Sequence, residues 1–197
     1  AIQTREVKSE IQNPKSEITA IVLAGGLGTR LRGVINDLPK PMAPVNGKPF
    51  LHYVLLYLSK QNIGKAILSV GYKSEAIEDY FRGKYIGIEI VYCKENEPLG
   101  TGGGIKKAFE LVDDFAFVLN GDTFFDIDLA VLKSFHFETS SDISLALKQM
   151  KNFDRYGTVQ MNEERISRFT EKKFLAHGLI NGGVYFFHKK IFDTAAE

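Results

Sequence analysis

The sequence predicts an α/β fold, a mostly parallel mixed sheet flanked by helices, on three observations. Short apolar or β-branched runs alternate with helix-compatible segments at about 20- to 30-residue spacing, the pattern of right-handed βαβ units. Three of the first four runs stop at Gly or Asn-Gly, as buried strands do when they feed loops at their carboxyl ends. From residue 143 onward strand-like runs follow one another with little helix between them, which extends the sheet with antiparallel or mixed strands.

Each element has a local reason. Thr19-Ala20-Ile21-Val22-Leu23-Ala24 is β-branched, short and ended by Gly25-Gly26, which suits a buried strand. Phe50 to Ser59 is apolar enough for a packed helix, and Ala66 to Val70, stopped by Gly71, reads as a second strand. Ser74 to Phe81 reads as a short helix with Ser74 as N-cap and Glu75 in its first turn. Ile86 to Tyr92 is a third strand, Gly102 to Leu111 a glycine-opened helix, and Phe115 to Leu119 a fourth strand running into Asn120-Gly121-Asp122. Ile143 to Lys148, Tyr156 to Met161, Ile166 to Thr170 and Gly182 to Phe187 are the later strands, with a helix beginning near Lys189. The expected domain spans 18–197 and lacks its C-terminal end; residues 1–17 are polar, mixed in charge and expected to be a leader.

Composition narrows the function. The 197 residues fit one domain with a sizeable core, and 44% are hydrophobic. Lys and Arg number 25 against 24 Asp and Glu, a net charge of +1, so no field favours nucleic acid. A single cysteine, Cys93, excludes an internal disulfide and a Cys-rich zinc site, and fits a reducing cytoplasmic location. No run is long and apolar enough for a membrane span, so membrane insertion is not expected. His52, His136, His177 and His188 show no metal-ligand spacing, and the phenylalanines between 115 and 137 read as core and helix packing.

Chemistry is concentrated in two loops at strand ends. Leu23-Ala24-Gly25-Gly26-Leu27-Gly28-Thr29-Arg30-Leu31 follows the first strand directly. Glycines let the backbone turn sharply and offer successive N–H groups to phosphate oxygens, and Arg30 adds a permanent forked cation. A tight turn with an exposed Arg is the alternative. The Walker pattern fails because Val34 follows Gly33, and the dinucleotide fingerprint fails at Leu31, which disfavours a dehydrogenase. Lys40 lies between Pro39 and Pro41, which fix φ and disfavour helix, so it is expected on a stiff extended segment.

Together these residues resemble the sugar-1-phosphate nucleotidyltransferases, the nucleotide-sugar pyrophosphorylases. The resemblance continues in order through Glu97-Pro98-Leu99-Gly100-Thr101-Gly102-Gly103, Asn120-Gly121-Asp122, Tyr156-Gly157, Phe169-Thr170-Glu171-Lys172 and Asn181-Gly182-Gly183. Within the family the chain is most similar to the D-glycero-α-D-manno-heptose 1-phosphate guanylyltransferases of bacterial surface polysaccharide synthesis. The resemblance implies the Rossmann-like nucleotide-diphospho-sugar transferase fold and transfer of a nucleotidyl group from a nucleoside triphosphate, GTP by preference, to a sugar 1-phosphate. Another triphosphate with a mannose-, glucose- or MurNAc-type 1-phosphate is the alternative, as is a non-catalytic nucleotide-sugar sensor.

It also implies roles. Leu23, Ala24, Gly25, Gly26, Gly28, Thr29, Glu95, Gly100 and Thr101 would bind the nucleotide, with Glu95 offering a carboxylate to guanine. Arg30 and Lys40 would be the catalytic cations, and Asp122 would bind nucleotide and Mg²⁺. Gly157, Glu171, Lys172 and Asn181 would hold the sugar phosphate. Relatives carry a second metal-binding aspartate in an Asp-x-Gly-x-Pro setting, which this sequence lacks and which is expected beyond residue 197. Lys173 stands where many relatives have proline. A homo-oligomer is compatible with the resemblance.

Overall fold

The computed structural model describes residues 18–26 and 38–193. In chain order they form β1 (Thr19–Leu23), β2 (Pro44–Val45), β3 (Lys48–Pro49), α1 (Phe50–Lys60), β4 (Lys65–Val70), α2 (Ser74–Phe81), β5 (Lys84–Tyr85) and β6 (Ile88–Lys94). Then come α3 (Gly100–Ala108), β7 (Phe115–Asn120), α4 (Leu129–Glu138), β8 (Ile143–Phe153), β9 (Thr158–Asn162), β10 (Arg165–Thr170) and β11 (Leu175–His188).

The main sheet runs β10-β9-β11-β7-β1-β4-β6-β5, with β8 also paired to β11. Its centre, β7-β1-β4-β6, is parallel; β11 joins β7 antiparallel and β5 joins β6 antiparallel. The expected mixed α/β sheet is therefore present. Side-chain alternation divides the core between two faces. Ala20 and Val22 of β1 pack with Leu51, Leu55 and Leu58 of α1, Ile77 and Phe81 of α2, and Leu129 of α4. Ile21 faces the other way, towards Ile105 and Ala108 of α3 and Phe109. Both faces are covered, which is why β1 is an uninterrupted apolar run.

Five details differ from the sequence reading. Lys73, not Ser74, is the N-cap of α2; it takes a left-handed φ of 55° and Ser74 is already the first helical residue. The turn has closed before Ser74, whose amide donates to the Gly71 carbonyl at 3.1 Å. The third strand starts later, at Ile88, because Ile86 and Gly87 both have positive φ and make the turn between β5 and β6. β11 runs 14 residues rather than six. Its register against β8 slips between Asn181 and Tyr185, so Gly182 and Gly183 form a bulge inside one strand. Gly183 has a φ of 76°, and its amide donates to Asn181 Oδ1 at 2.7 Å. Phe124 and Phe137 are also about half exposed, at 49% and 47%, instead of lying in the core. The last described turn, Lys189–Phe192, is 3-10 rather than α-helical.

His136 on α4 is buried beneath the edges of Phe115, Phe137 and Phe186. Its Nδ1 shares a 2.9 Å hydrogen bond with Ser144 Oγ, and its buried Nε2 has no partner. Burial, then the electrostatic influence of the neighbouring His188 and Lys190, lowers its pKa, outweighing Asp142. The fold thus favours the neutral form of His136, and its contribution is fully present above the unfolded value of about 6.5. Below that pH the unfolded chain takes up a proton that the native state resists. Urea unfolding is expected to show stability falling as pH drops from 7.5 to 5.5, with a shallower fall in His136→Gln.

Candidate active site

A cavity of about 590 Å³ opens at the carboxyl ends of β1, β4, β6 and β7, where an open parallel sheet presents its ligand crevice. Leu23, Gly25, Gly26, Lys40, Glu95, Gly100, Thr101 and Asp122 line it, eight residues that come from five separate stretches of chain. Ala24 is buried behind them, its amide donating to Ser69 O at 2.8 Å, so it fastens β1 to β4 and does not line the cavity. Gly28, Thr29 and Arg30 lie outside the described residues.

The first loop leaves β1 against β4. A Cβ on Gly25 would stand 3.3 Å from Gly71 N, whereas one on Gly26 would meet nothing within 4 Å. Glycine at 25 thus lets two backbones approach, and at 26 it leaves the loop open to the cavity.

Lys40 begins a 3-10 turn, Lys40–Met42, rather than lying on the extended segment expected, because Pro41 sits in the first turn where its missing N–H costs nothing; Pro41 and Met42 are buried. The anchored prolines set its backbone, and its ammonium pairs with the Asp122 carboxylate from 82 residues away. Asp122 follows Gly121, whose amide donates to Leu23 O at 2.9 Å. A strand-end glycine therefore brings Asp122 beside the end of β1.

Glu95 stands where β6 gives way to its loop, and the protein fixes its orientation. Ser69 Oγ donates to Oε1 at 2.9 Å, and the Leu99 amide donates to Oε2 at 3.3 Å. A Cβ on Gly104 would lie 2.6 Å from Glu95 Oε1, so that glycine makes the room for the carboxylate. A carboxylate offers about four acceptor positions, and two remain for a donor in the cavity. Gly100 opens α3 with a φ of 68°, a conformation that only glycine takes without strain.

Gly157, Glu171, Lys172 and Asn181 do not line this cavity. Asn181 lies in β11, whereas Gly157, Glu171 and Lys172 lie outside the strands, Gly157 just before β9 and the other two just after β10. A Cβ on Gly157 would be 2.6 Å from Thr170 O, next to exposed Glu171 and Lys172. Asn181 Nδ2 donates to the Tyr185 hydroxyl at 2.6 Å. Cys93 is buried, and burial pushes its thiol up, which fits an apolar packing role.

The sequence reading missed Ser69, Gly71, Tyr72, Asn96 and Asn120 as lining residues. Ser69, Gly71 and Asn120 carry a usable signal, since each sits at the end of a parallel strand. Tyr72, half exposed with the Lys73 ammonium 5.4 Å from its ring centroid, had none.

Residues 19–197 match the family described as Nucleotidyl transferase. The chain belongs to that family. It is 55% identical over 178 residues to the D-glycero-alpha-D-manno-heptose 1-phosphate guanylyltransferase of Campylobacter jejuni, covering 90% of this chain and 79% of the relative. The namesake enzyme of Aneurinibacillus thermoaerophilus is 53% identical over 175 residues, covering 88% of this chain and 76% of the relative. The crystal structure of HddC from Yersinia pseudotuberculosis complexed with GMP-PN superposes with a TM-score of 0.81 at 35% identity, covering 91% of this chain and 80% of that one. The protein is thus a nucleotidyltransferase with the nucleotide-diphospho-sugar transferase fold. Among its described residues no helix is long and apolar enough to cross a membrane.

In this nucleotidyltransferase two glycines of α3 should behave oppositely. Gly104→Ala drives a methyl into the Glu95 carboxylate and is expected to raise the nucleotide KM severalfold. Gly102→Ala meets nothing within 4 Å and is expected to raise stability by roughly 0.5–1 kcal/mol, as removal of an unneeded helical glycine does. Steady-state kinetics and thermal melts separate the two.

Proposed function

We propose that the protein transfers a guanylyl group from GTP to D-glycero-α-D-manno-heptose 1-phosphate, forming the nucleotide-diphosphate heptose and releasing pyrophosphate. One observation carries this reading. The strand-end cavity combines a cation-carboxylate pair at Lys40 and Asp122 with an oriented acceptor at Glu95, in a chain 55% identical to an enzyme named for that reaction.

The reaction needs a sugar-phosphate oxygen to attack the α-phosphorus in line while the bridge to the β-phosphate breaks. Two polyanions must meet, so positioning and charge stabilisation dominate the barrier. Lys40 stabilises the negative charge at the reacting α-phosphate, and Arg30 neutralises the outer phosphates. Gly25, Gly26, Gly28 and Thr29 line the triphosphate. Glu95 accepts from N1–H and N2–H of guanine, a paired donor edge that pyrimidines lack. Gly157, Glu171, Lys172 and Asn181 hold the sugar phosphate.

The donor set also fits Mg²⁺ that arrives with its triphosphate. Magnesium in such sites takes one or two protein carboxylates and fills its sphere with phosphate and water. Asp122 provides one, and the described residues hold no group of three acidic, His or Cys side chains that would bind a metal unaided. When bound, Mg²⁺ offsets phosphate charge at the point of transfer. A cytoplasmic enzyme of surface polysaccharide synthesis fits this substrate pair.

A panel crossing GTP, ATP, CTP, UTP and dTTP with heptose and hexose 1-phosphates tests the reading by product mass. GDP-heptose is the expected dominant product. Greater turnover with another pair would replace the specificity, and no pyrophosphate release with any pair would remove the activity.

A further inference from the structure

We propose that Asp122 has a second role: it holds the Lys40 ammonium, and the pair yields most readily to a metal-bound triphosphate, which engages both partners at once. This rests on the nucleotidyl-transfer reading above and deepens it, because it assigns an order to the loading of the site.

The structural basis is the direct ion pair between Lys40 and Asp122. Both backbones are anchored: Lys40 by the buried Pro41 and Met42, Asp122 by the hydrogen bond from Gly121 N to Leu23 O. Only the side chains are left to move, and the four-carbon stem of lysine has the reach to swing. The two side chains are 37% and 33% exposed, so solvent screens the pair. Pairs of that kind hold weakly, which makes this one readily exchangeable.

The chemistry requires the exchange. A divalent ion on the Asp122 carboxylate and an ammonium on the same group repel one another. A triphosphate without metal meets the opposite obstacle, since Asp122 repels it and occupies the cation it needs. A metal-bound triphosphate removes both: the metal replaces Lys40 at Asp122, and phosphate replaces Asp122 at Lys40. Each charge is then compensated throughout, whereas either component alone must break the pair without replacing it. Lys40 and Asp122 therefore couple metal and nucleotide binding in favour of the complex.

The test measures binding rather than turnover. In ¹⁵N-labelled protein, Mn²⁺ broadening of the Gly121 and Thr123 amide signals reports metal arriving at Asp122 without nucleotide. Lys40→Met is expected to shift that titration to about fivefold lower Mn²⁺ than wild type, and Lys40→Met with Asp122→Asn to abolish the gain. In EDTA, calorimetry with a non-hydrolysable GTP analogue should show Asp122→Asn binding severalfold tighter than wild type. Unchanged Mn²⁺ affinity in Lys40→Met, or no gain for the metal-free analogue in Asp122→Asn, overturns the exchange. The same spectra verify that each variant is folded. Wild type binding the analogue with Mg²⁺ while either gain is absent sinks the exchange and leaves the nucleotide reading standing. Wild type binding no nucleoside triphosphate under any condition sinks that reading, while the Mn²⁺ arm still judges the ion pair on its own.

Discussion

Lys40→Met is expected to lower guanylyl transfer by about 10²–10³-fold, the range seen when one preorganised charge or donor at a transition state is removed. The ammonium meets charge that builds during the reaction, so the loss should fall on kcat more than on KM. Folding should be nearly untouched. The ion pair with Asp122 is partly exposed, and such pairs contribute roughly 0–1 kcal/mol. Matching melting temperatures beside a collapsed kcat is therefore the expected pattern. A Lys40→Met enzyme with wild-type kcat would remove Lys40 from the chemistry.

Gly121→Ala is expected to damage stability and turnover together. A Cβ there would stand 2.6 Å from Leu23 O, 3.3 Å from Leu23 C and 3.4 Å from Ala24 Cα. All three are backbone atoms at the end of the central strand β1, where neither chain can yield without breaking the Gly121 N to Leu23 O hydrogen bond. Overpacking of this kind costs roughly 1–3 kcal/mol. Because Asp122 is the next residue, the displacement passes directly to the carboxylate in the cavity. Urea unfolding should show the lower midpoint, and kinetics a lower kcat. Gly83→Ala, where a Cβ would meet nothing within 4 Å, is the matched control and should change neither.

The glycine turn after β1, the proline-flanked Lys40 and the ends of the parallel strands were legible from local chemistry, whereas the role of Asp122 came only with the family resemblance. A β-branched run closed by glycine and a lysine between prolines are features of neighbouring residues, and neighbours interact in any fold. The four sugar-phosphate candidates were legible only by resemblance, and the cavity does not gather them. β11 was read only from Gly182, whereas its pairing with β8 continues back to Leu175 across a register shift that the two glycines absorb.

By itself, then, the sequence determined the α/β plan, the family, and the residue types available for phosphate chemistry, since each rests on short-range pattern. Tertiary structure alone decided that Lys40 meets Asp122 across 82 positions. It also decided that Ser69, Leu99 and Gly104 aim the Glu95 carboxylate. Those contacts join a 3-10 turn, the start of α3 and the loops at strand ends, which the sheet gathers because its strand order differs from their order in the chain. Which side chains converge is set when the sheet closes, by packing energies that no local run of residues contains.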